Sequence, residues 1–448
     1  LQRLTASTLR RLQLGTVKAL VEAGVRLTNL FLDKEKSGGN NGYLVAEPRI
    51  NASLSLLNGK KNYMLDDLTL TGGFGLSNKM PTLAHLYPDA AYFDNVALAR
   101  WADNENDRLA LVQTTIVSQT QNTSLKPAHS RKWEVGLQLR KKKVQASVTW
   151  FNERHDNEYG FSTQLLWIDY PYFTLPAGTT NSAFNAVTGN VTYTAADGSS
   201  GTATKTIYTE RISWGMAQNT WLTRKHGIEY TLNLGEWKLL RTSLNISGAW
   251  FWIKRTKKTP GYSNIGYDNR LSNANQYCVV SPPGSGTVND RTSTNFAFIT
   301  HIPAVKMVVT TNVQVVWRTA ARTIYEDGHG NSRYYLKSYY DRDYMVVDPM
   351  GYYDMEANWH EWTAADAENT VLNSYMNRLQ LYNLEASVEK PWAMLSMRLT
   401  KEIGKTAELS FIANNLTNSR KYRRYSNSNL QYQPYPAMYF GGEVKLKF

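Results

Sequence analysis

The feature that most constrains this fold is a repeated pair of strands, each about ten residues long, in which apolar and polar side chains alternate. The clearest pair spans Ser130–Trp150. Because successive side chains of an extended strand point to opposite faces, this pair has one apolar and one polar face. Each strand also has the length that a tilted strand needs to cross a bilayer. The apolar positions are Trp133, Val135, Leu137, Leu139, Val144, Ala146, Val148 and Trp150.

The same pattern returns along the chain and predicts an all-β protein with about twelve long strands. No apolar run approaches the roughly 20 residues of a membrane helix. The N-terminal stretch Leu1–Gly15 lacks the layout of a signal peptide and resembles the interior of a strand. The other predicted strands lie within Val21–Leu32, Arg49–Leu57, Leu68–Leu76, Ile228–Trp252, Phe296–Trp317, Leu395–Asn414 and Phe440–Phe448.

The connections between these strands are alternately short and long. Short turns are predicted after Leu139, Leu234, Ile299 and Thr400. Long loops are predicted at Asn78–Ala128, Asp156–Leu222, Lys254–Thr294 and Thr319–Leu381. An outer-membrane barrel shows this asymmetry, with short periplasmic turns and long external loops, whereas a soluble β-sandwich has no reason to sort its loops. The sequence therefore predicts a transmembrane antiparallel β-barrel.

The tryptophans provide a second indication of a membrane barrel. Aromatic residues are enriched where a barrel wall meets the two membrane interfaces. Trp237 and Phe448 fall on the short-turn side of their strands. The alternative interpretation is that these rings form the core of a soluble all-β protein. The predicted girdle on the long-loop side consists of Trp133, Trp150, Trp250, Trp252 and Trp317.

Charge, cysteine and histidine content give no sign of nucleic-acid binding, metal binding or catalysis. The formal net charge is +13, but the basic residues are scattered, apart from Arg140–Lys143 and Arg420–Arg424. Cys278 is the single cysteine, and the seven histidines show no ligand spacing. No Ser-His-Asp arrangement stands out. We therefore predict no enzyme activity, no metal site and no cofactor, although an outer-membrane enzyme stays open as an alternative.

Two aromatic stretches in the long loops are candidates for ligand binding. Aromatic rings stack on sugars or peptides, and nearby carboxylates bind polar groups or a cation. The alternative is that these segments form a solvated, self-packed lid. The candidate residues are Trp167, Tyr170 and Tyr172 in the first stretch, and Asp341, Asp343, Tyr352, Tyr353 and Trp359 in the second.

Several segments resemble the TonB-dependent receptors of the bacterial outer membrane, particularly those of Bacteroidetes. The run Asn122–Gly136 is similar to the family's Asn-x-x-Leu-Lys-Pro stretch and the strand after it, through Asn122, Leu125, Lys126, Pro127, Glu134 and Gly136. Gly73–Pro88, Phe298–Trp317 and Ala413–Asn418 are similar to further family segments. The resemblance extends over nearly all of residues 1–448.

This resemblance implies a 22-stranded barrel with an N-terminal plug and a short box that contacts TonB. The numbered chain shows neither, so we expect it to be the C-terminal part of such a barrel, with long extracellular loops. The implied function is TonB-dependent import of a glycan, peptide, metal chelate or cobalamin across the outer membrane. The implied partners are membrane lipid, the TonB complex and a surface lipoprotein. The alternative function is a structural or assembly partner in an outer-membrane complex with surface lipoproteins.

Overall fold

The computed structural model describes residues 2–15, 17–58, 64–263, 266–268, 276–404, 406–419, 423–424, 431–432 and 437–446. Within these ranges, no helix has the length and apolar character that crossing a membrane requires. The helices are short: α1 Leu83–Leu86, α2 Ala364–Glu368 and α3 Thr370–Ser374, with 3-10 turns at Glu105–Asp107, Pro303–Val305 and Leu381–Asn383.

Strands form most of the described chain. They are β1 Gln2–Leu14, β2 Val17–Phe31, β3 Gly42–Asn58, β4 Asp67–Lys79, β5 Ala91–Arg100, β6 Leu109–Val117, β7 Ala128–Lys141, β8 Val144–Thr174, β9 Thr180–Asn185, β10 Asn190–Thr194, β11 Ser200–Thr202, β12 Thr204–Trp237, β13 Thr242–Lys257, β14 Gly261–Ser263, β15 Tyr267–Asp268, β16 Cys278–Ser281, β17 Ser285–Ile302, β18 Met307–Tyr325, β19 Tyr335–Tyr339, β20 Arg342–Val347, β21 Gly351–Tyr353, β22 Trp359–Glu361, β23 Asn377–Gln380, β24 Ser387–Val388, β25 Trp392–Ile403, β26 Ala407–Asn414, β27 Arg423–Arg424, β28 Gln431–Tyr432 and β29 Tyr439–Leu446.

The main sheet is an antiparallel meander in which chain neighbours are also sheet neighbours. Its order is β1-β2-β3-β4-β7-β8-β12-β13-β17-β18-β25-β26-β29, with β15 and β24 paired at its margins. The all-β prediction is therefore confirmed. Thirteen strands form this path, against about twelve predicted, and the N-terminal stretch that resembles the interior of a strand is β1, which pairs with β2 along its length.

Adjacent register rows of the main sheet differ completely in polarity. One row crosses eight strands with polar side chains only: Ser55, Thr69, Gln138, Ser147, Thr231, Ser247, Asn295 and Gln314. The row beside it is wholly apolar: Leu57, Leu68, Leu139, Ala146, Leu232, Ile246, Phe296, Val313 and Leu395. Since neighbouring positions face opposite sides, the sheet has one apolar and one polar face. None of the nine apolar side chains is fully buried.

The connections alternate in length along the entire meander. One end of the sheet carries the short links, residues 15–16, 59–66, 142–143, 238–241, 303–306 and 404–406. The other end carries residues 32–41, 80–127, 175–203, 258–284, 326–391 and 415–438. The predicted sorting is confirmed. The short turns begin two or more residues later than predicted, because strand pairing continues past the last apolar position, as in β7 and β12.

The predicted loop Asp156–Leu222 is wrong, because most of it is strand. β8 pairs with β7 only as far as Asp156, and β12 pairs with β13 only as far as Trp221, but β8 and β12 pair with each other out to Thr174 and Thr204. The two strands therefore project from the long-connection end as a hairpin, by roughly 60 Å if fully extended.

The described parts of three other long connections, residues 80–127, 258–284 and 326–391, pack against the projecting hairpin. On one face, Ile168 and Ile212 are buried with Val117 of β6. Nearer the tip of the hairpin, Phe173 is buried with Leu98 of β5. On the opposite face lies a four-stranded sheet in the order β14-β16-β21-β22, whose strands come from two different long connections. We refer to these folded connections, residues 80–127, 157–220, 258–284 and 326–391, as the cap.

Candidate ligand-binding surface

The site begins with two facing residues on the projecting hairpin. Trp167 of β8 and Arg211 of β12 occupy directly opposite positions, so their side chains lie on the same face. The Arg211 guanidinium lies 6.0 Å from the centre of the Trp167 ring. Arg211 is fully buried and donates to the Gln276 carbonyl oxygen at 3.5 Å. A buried cation against an indole ring therefore forms the floor of the site.

The short strand β21 supplies the opposing aromatic rings. Tyr353 lies 5.5 Å from Trp167 and 5.0 Å from Trp359, measured between ring centres. Tyr353 pairs with Cys278 on one side and with Trp359 on the other. A Cβ atom at Gly351 would overlap the Trp359 ring, so glycine at this position allows the indole to lie across β21. Trp359 is 41% exposed, which leaves ring surface open to solvent.

The other face of β21 carries a second set of rings. Tyr352 stacks on His360 at 4.9 Å with an interplanar angle of 13°, and lies 5.2 Å from Tyr277. His360 also contacts Asp354, with 2.7 Å between Nε2 and Oδ2. Burial opposes ionisation of Asp354, but hydrogen bonds from His360 and from Asn358 outweigh it, so the pKa of Asp354 is lowered. This face is thus aromatic with a charged edge.

The candidate residues from the sequence separate into groups. Trp167, Tyr353 and Trp359 come together, and Tyr352 lies next to them on the other face of β21. Tyr170 and Tyr172 instead pack on Tyr208, on the hairpin face opposite Trp167. Tyr170 is only 1% exposed.

The two aspartates lie at the tip of a separate hairpin, β19–β20. Asp341 is in its turn with φ 59°, and Asp343 accepts a hydrogen bond from Ser338. Both carboxylates are exposed, and no described contact joins them to the aromatic rings of β21. The segment that contains them is folded: Met345, Val346 and Val347 of β20 are at most 1% exposed. Within the described ranges, no three His, Cys, Asp or Glu side chains are grouped as metal ligands would be.

Arg211 and Cys278 are part of the site, and sequence reasoning did not identify either. Cys278 is fully buried beside its cross-strand partner Tyr353, and burial raises the pKa of its thiol to about 11. An arginine in a long alternating strand gives no local sign that a second connection will cover it. Only the pairing of β16 with β21 brings Cys278 next to Tyr353.

The predicted aromatic girdle lies where the alternation places it. Trp150 and Trp250 share a register row with Val135 and Ile228, on the apolar face. Trp133 and Trp150 meet edge to face at 4.4 Å. The Trp317 indole donates to Thr294 at 2.8 Å from a bulge in β18.

The remaining girdle positions lie on either side of that row. Trp252 stacks on His226 at 4.5 Å, one step further toward the cap on the same face. Trp237 pairs with Thr242 beside the short turn and is 69% exposed. Phe448 lies outside the described residues.

Comparison with known proteins assigns this chain to no family. No protein-family model matches the chain, and no curated protein matches it. Among solved structures, the outer membrane transporter YddB from Escherichia coli is similar over 100% of this chain and 75% of that chain, with 8% sequence identity and a TM-score of 0.20. A likeness at that TM-score carries no weight for the fold or the function of this chain.

Proposed function

We propose that the main sheet forms part of the wall of a transmembrane β-barrel in a bacterial outer membrane, and that the barrel imports a nutrient. The observation that carries this proposal is the pair of adjacent register rows, one polar over eight strands and one apolar over nine. In water an apolar sheet face needs a second layer to cover it. The apolar row here is only partly buried in the described part of the chain, as a lipid-facing row would be.

The dimensions agree with a membrane wall. From Ile228, in the row of Trp150 and Trp250, to Trp237 at the short turn is nine positions along β12. Because β12 bulges between Asn233 and Glu236, this stretch matches eight steps of β13, which correspond to roughly 26 Å along a strand, or about 20 Å of height at the usual barrel tilt. The apolar band of outer-membrane barrels is about 25 Å tall.

A pair of neighbouring substitutions tests the membrane assignment. Leu137 lies on the apolar face and Gln138 on the polar face, and both are in β7. If lipid covers the apolar face, Leu137→Arg should destabilise the protein in bilayers by about 2–4 kcal/mol, whereas Gln138→Arg should change stability little. The readout is urea unfolding in phospholipid vesicles. Equal effects of the two variants would refute the assignment.

The import function is the finer part of the proposal. We assign energy coupling to TonB through a plug, on the resemblance of Asn122–Gly136 and the other segments to TonB-dependent receptors. The ligand would bind on the Trp167, Tyr353 and Trp359 rings, with no chemical conversion and no cofactor.

One observation favours the second function, an assembly role with a surface lipoprotein. The β5–β6 hairpin has an exposed face that carries apolar cross-strand pairs of Tyr92 with Ile116 and of Val96 with Val112. These side chains are 65%, 58%, 38% and 54% exposed, respectively. The exposed pair Asp94–Thr114 lies between these two apolar pairs on the same face, so the surface mixes apolar and polar groups, as the surface that a protein partner covers does. Tyr92→Ser with Ile116→Ser should release a co-purifying lipoprotein under this function and should leave ligand uptake unchanged under simple import.

A further inference from the structure

Four cations occupy consecutive positions of one register row at the cap end of the main sheet. Arg131 pairs with Arg154, Arg154 with Arg224, and Arg224 with Lys254. The row continues through Val288 to Arg322. Like charges at directly opposite positions destabilise a sheet. A row of this kind therefore needs negative charge from elsewhere.

The described residues supply only part of that charge. Asp156 lies 3.1 Å from Arg131 and 2.8 Å from Arg154, and Glu326 lies 2.6 Å from Lys254. Arg224 and Arg322 are exposed, and neither has an ion-pair partner in the described part of the chain. The row thus keeps three more positive than negative charges.

The row lies on the apolar face, immediately beyond the aromatic girdle. Two positions closer to the membrane on the same strands are Trp133, Asn152, His226 and Trp252, so three of the four side chains in this row are aromatic, and the apolar rows follow. The order along each strand is therefore apolar, aromatic and then cationic. The step from the tryptophan row to the cation row is about 7 Å. In a bilayer this is the depth at which headgroups replace the interfacial aromatic residues.

A cleft opens beside the row where the turn 328–330 approaches β13. Its lining includes one carboxylate, Glu326, which is already bonded to Lys254. Its basic and hydroxyl side chains are Arg224, Lys254, Thr256, Lys258 and His329. Guanidinium and ammonium groups around a hydroxyl suit a phosphate oxygen group.

We propose that this cation row binds phosphate groups on the headgroups of the outer-leaflet lipid. The inference rests on the proposed membrane wall, since that wall sets the depth of the row. The position on the lipid-facing side, next to the aromatic girdle, favours a lipid headgroup over free phosphate. Bound phosphate offsets the repulsion along the row and fixes the barrel at a defined depth below the cap.

The test uses the full chain purified in a neutral detergent and titrated with diphosphorylated lipid A, with dephosphorylated lipid A of the same acyl chains, and with inorganic phosphate. The variant Arg224→Gln/Arg322→Gln removes the two unpaired cations. The matched control Lys225→Gln/Arg291→Gln also removes two positive charges, but from the polar face. Lys225 is in β12, as Arg224 is, and Arg291 is in β17, which pairs with the strand of Arg322. Binding is measured from the lipid-induced rise in unfolding temperature.

We expect the wild-type protein and the control to bind the diphosphorylated lipid, and the Arg224→Gln/Arg322→Gln variant to bind it roughly thirtyfold more weakly, which corresponds to about 2 kcal/mol. The dephosphorylated lipid should bind weakly to all three proteins. Equal affinity of wild type and variant for the diphosphorylated lipid would overturn the site. Equally strong binding of inorganic phosphate would overturn the assignment to lipid. The membrane proposal has its own test, the unfolding of the Leu137→Arg and Gln138→Arg variants in vesicles. Failure of the protein to insert into those vesicles would overturn the membrane proposal and not the phosphate site.

Discussion

The ring of Trp167 lies 5.5 Å from the ring of Tyr353, although the two residues belong to different long connections of the sheet. This contact joins the projecting hairpin to the four-stranded sheet of the cap. Arg211 and Cys278 are buried at the same junction. The cap is therefore one folded unit, and any molecule that binds to its aromatic rings contacts residues fixed by strand pairing.

The first prediction concerns the orientation of the sheet. Val187, in the turn between β9 and β10, is 95% exposed, and Lys142 lies in a two-residue turn at the opposite end. If the cap is external, Val187→Cys should react with a membrane-impermeant maleimide in intact cells, whereas Lys142→Cys should react only after the outer membrane is permeabilised. The buried Cys278 gives no background. Labelling of both positions from outside would contradict the topology.

The second prediction concerns Cys278. Burial raises the pKa of its thiol from the ordinary value of about 9 to about 11. Between these two values the unfolded chain loses the thiol proton and the folded chain keeps it, so stability falls as pH rises. The fall attributable to this group approaches roughly 2–3 kcal/mol by pH 11. Below about pH 9 the group should have no effect on the pH dependence.

Cys278→Ala provides the control for this prediction. The difference between wild type and variant in free energy of unfolding should be constant up to about pH 9 and then change in favour of the variant. Equilibrium unfolding at a series of pH values, followed by fluorescence of the cap tryptophans, measures it. A difference that stays constant to pH 11 would show that the thiol is not held neutral by burial.

The strands of the sheet could be predicted because their signal is local. The period-two alternation around Leu137 and Val148 depends only on neighbours in the chain, and it places Trp133, Trp150 and Trp250 on the apolar face. Bulges did not obscure it, although the bulge at Trp317 shifts the register of β18. The alternation of turn lengths is likewise visible without any long-range information.

The cap could not be predicted in the same way. The pairing of Cys278 with Tyr353 joins segments from two connections, and no periodicity in either segment specifies the other. The hairpin beyond Asp156 has aromatic residues on both faces because the cap covers both, so it lacks the simple alternation of a lipid-facing strand. Asp341 and Tyr353 are close in sequence, but they belong to different strand pairings of one connection, the β19–β20 hairpin and the β16–β21 pair. No local periodicity specifies either pairing.

The third prediction concerns a close approach between strands. A Cβ atom at Gly227 would overlap the carbonyl oxygen of Trp250 and press on the Phe151 ring, whereas a Cβ atom at Gly441 meets nothing within 4 Å. Gly227→Ala should therefore destabilise the sheet by about 1–3 kcal/mol, as overpacking does. Gly441→Ala should be close to neutral. Unfolding in urea compares them, and equal stability of the two variants would show that β12 and β13 are not this close.

The last prediction concerns ligand binding on the cap. Trp359 forms the exposed rim of the aromatic site beside the half-buried Tyr353, while Tyr172 has a similar ring packed against Tyr208 on the other side of the hairpin. Stacking on a sugar or peptide requires the ring faces, so Trp359→Ala should weaken binding of the transported ligand about tenfold, the result of losing roughly 1.4 kcal/mol. Trp359→Phe should retain most of the affinity.

The ligand would be found by screening glycan and peptide arrays with the fluorescently labelled full chain, and its affinity measured for each variant. Tyr172→Ala is the matched control, because it removes an aromatic ring from the same cap without touching the rim. Protection of Cys278 from maleimide measures whether the cap is folded, because a disturbed β16–β21 pairing would expose the thiol. Loss of binding in Trp359→Ala with Cys278 still protected assigns the site to the rim. Unchanged binding would mean that the rings of β21 and β22 only pack the cap, and the ligand would then have to bind to another part of the protein.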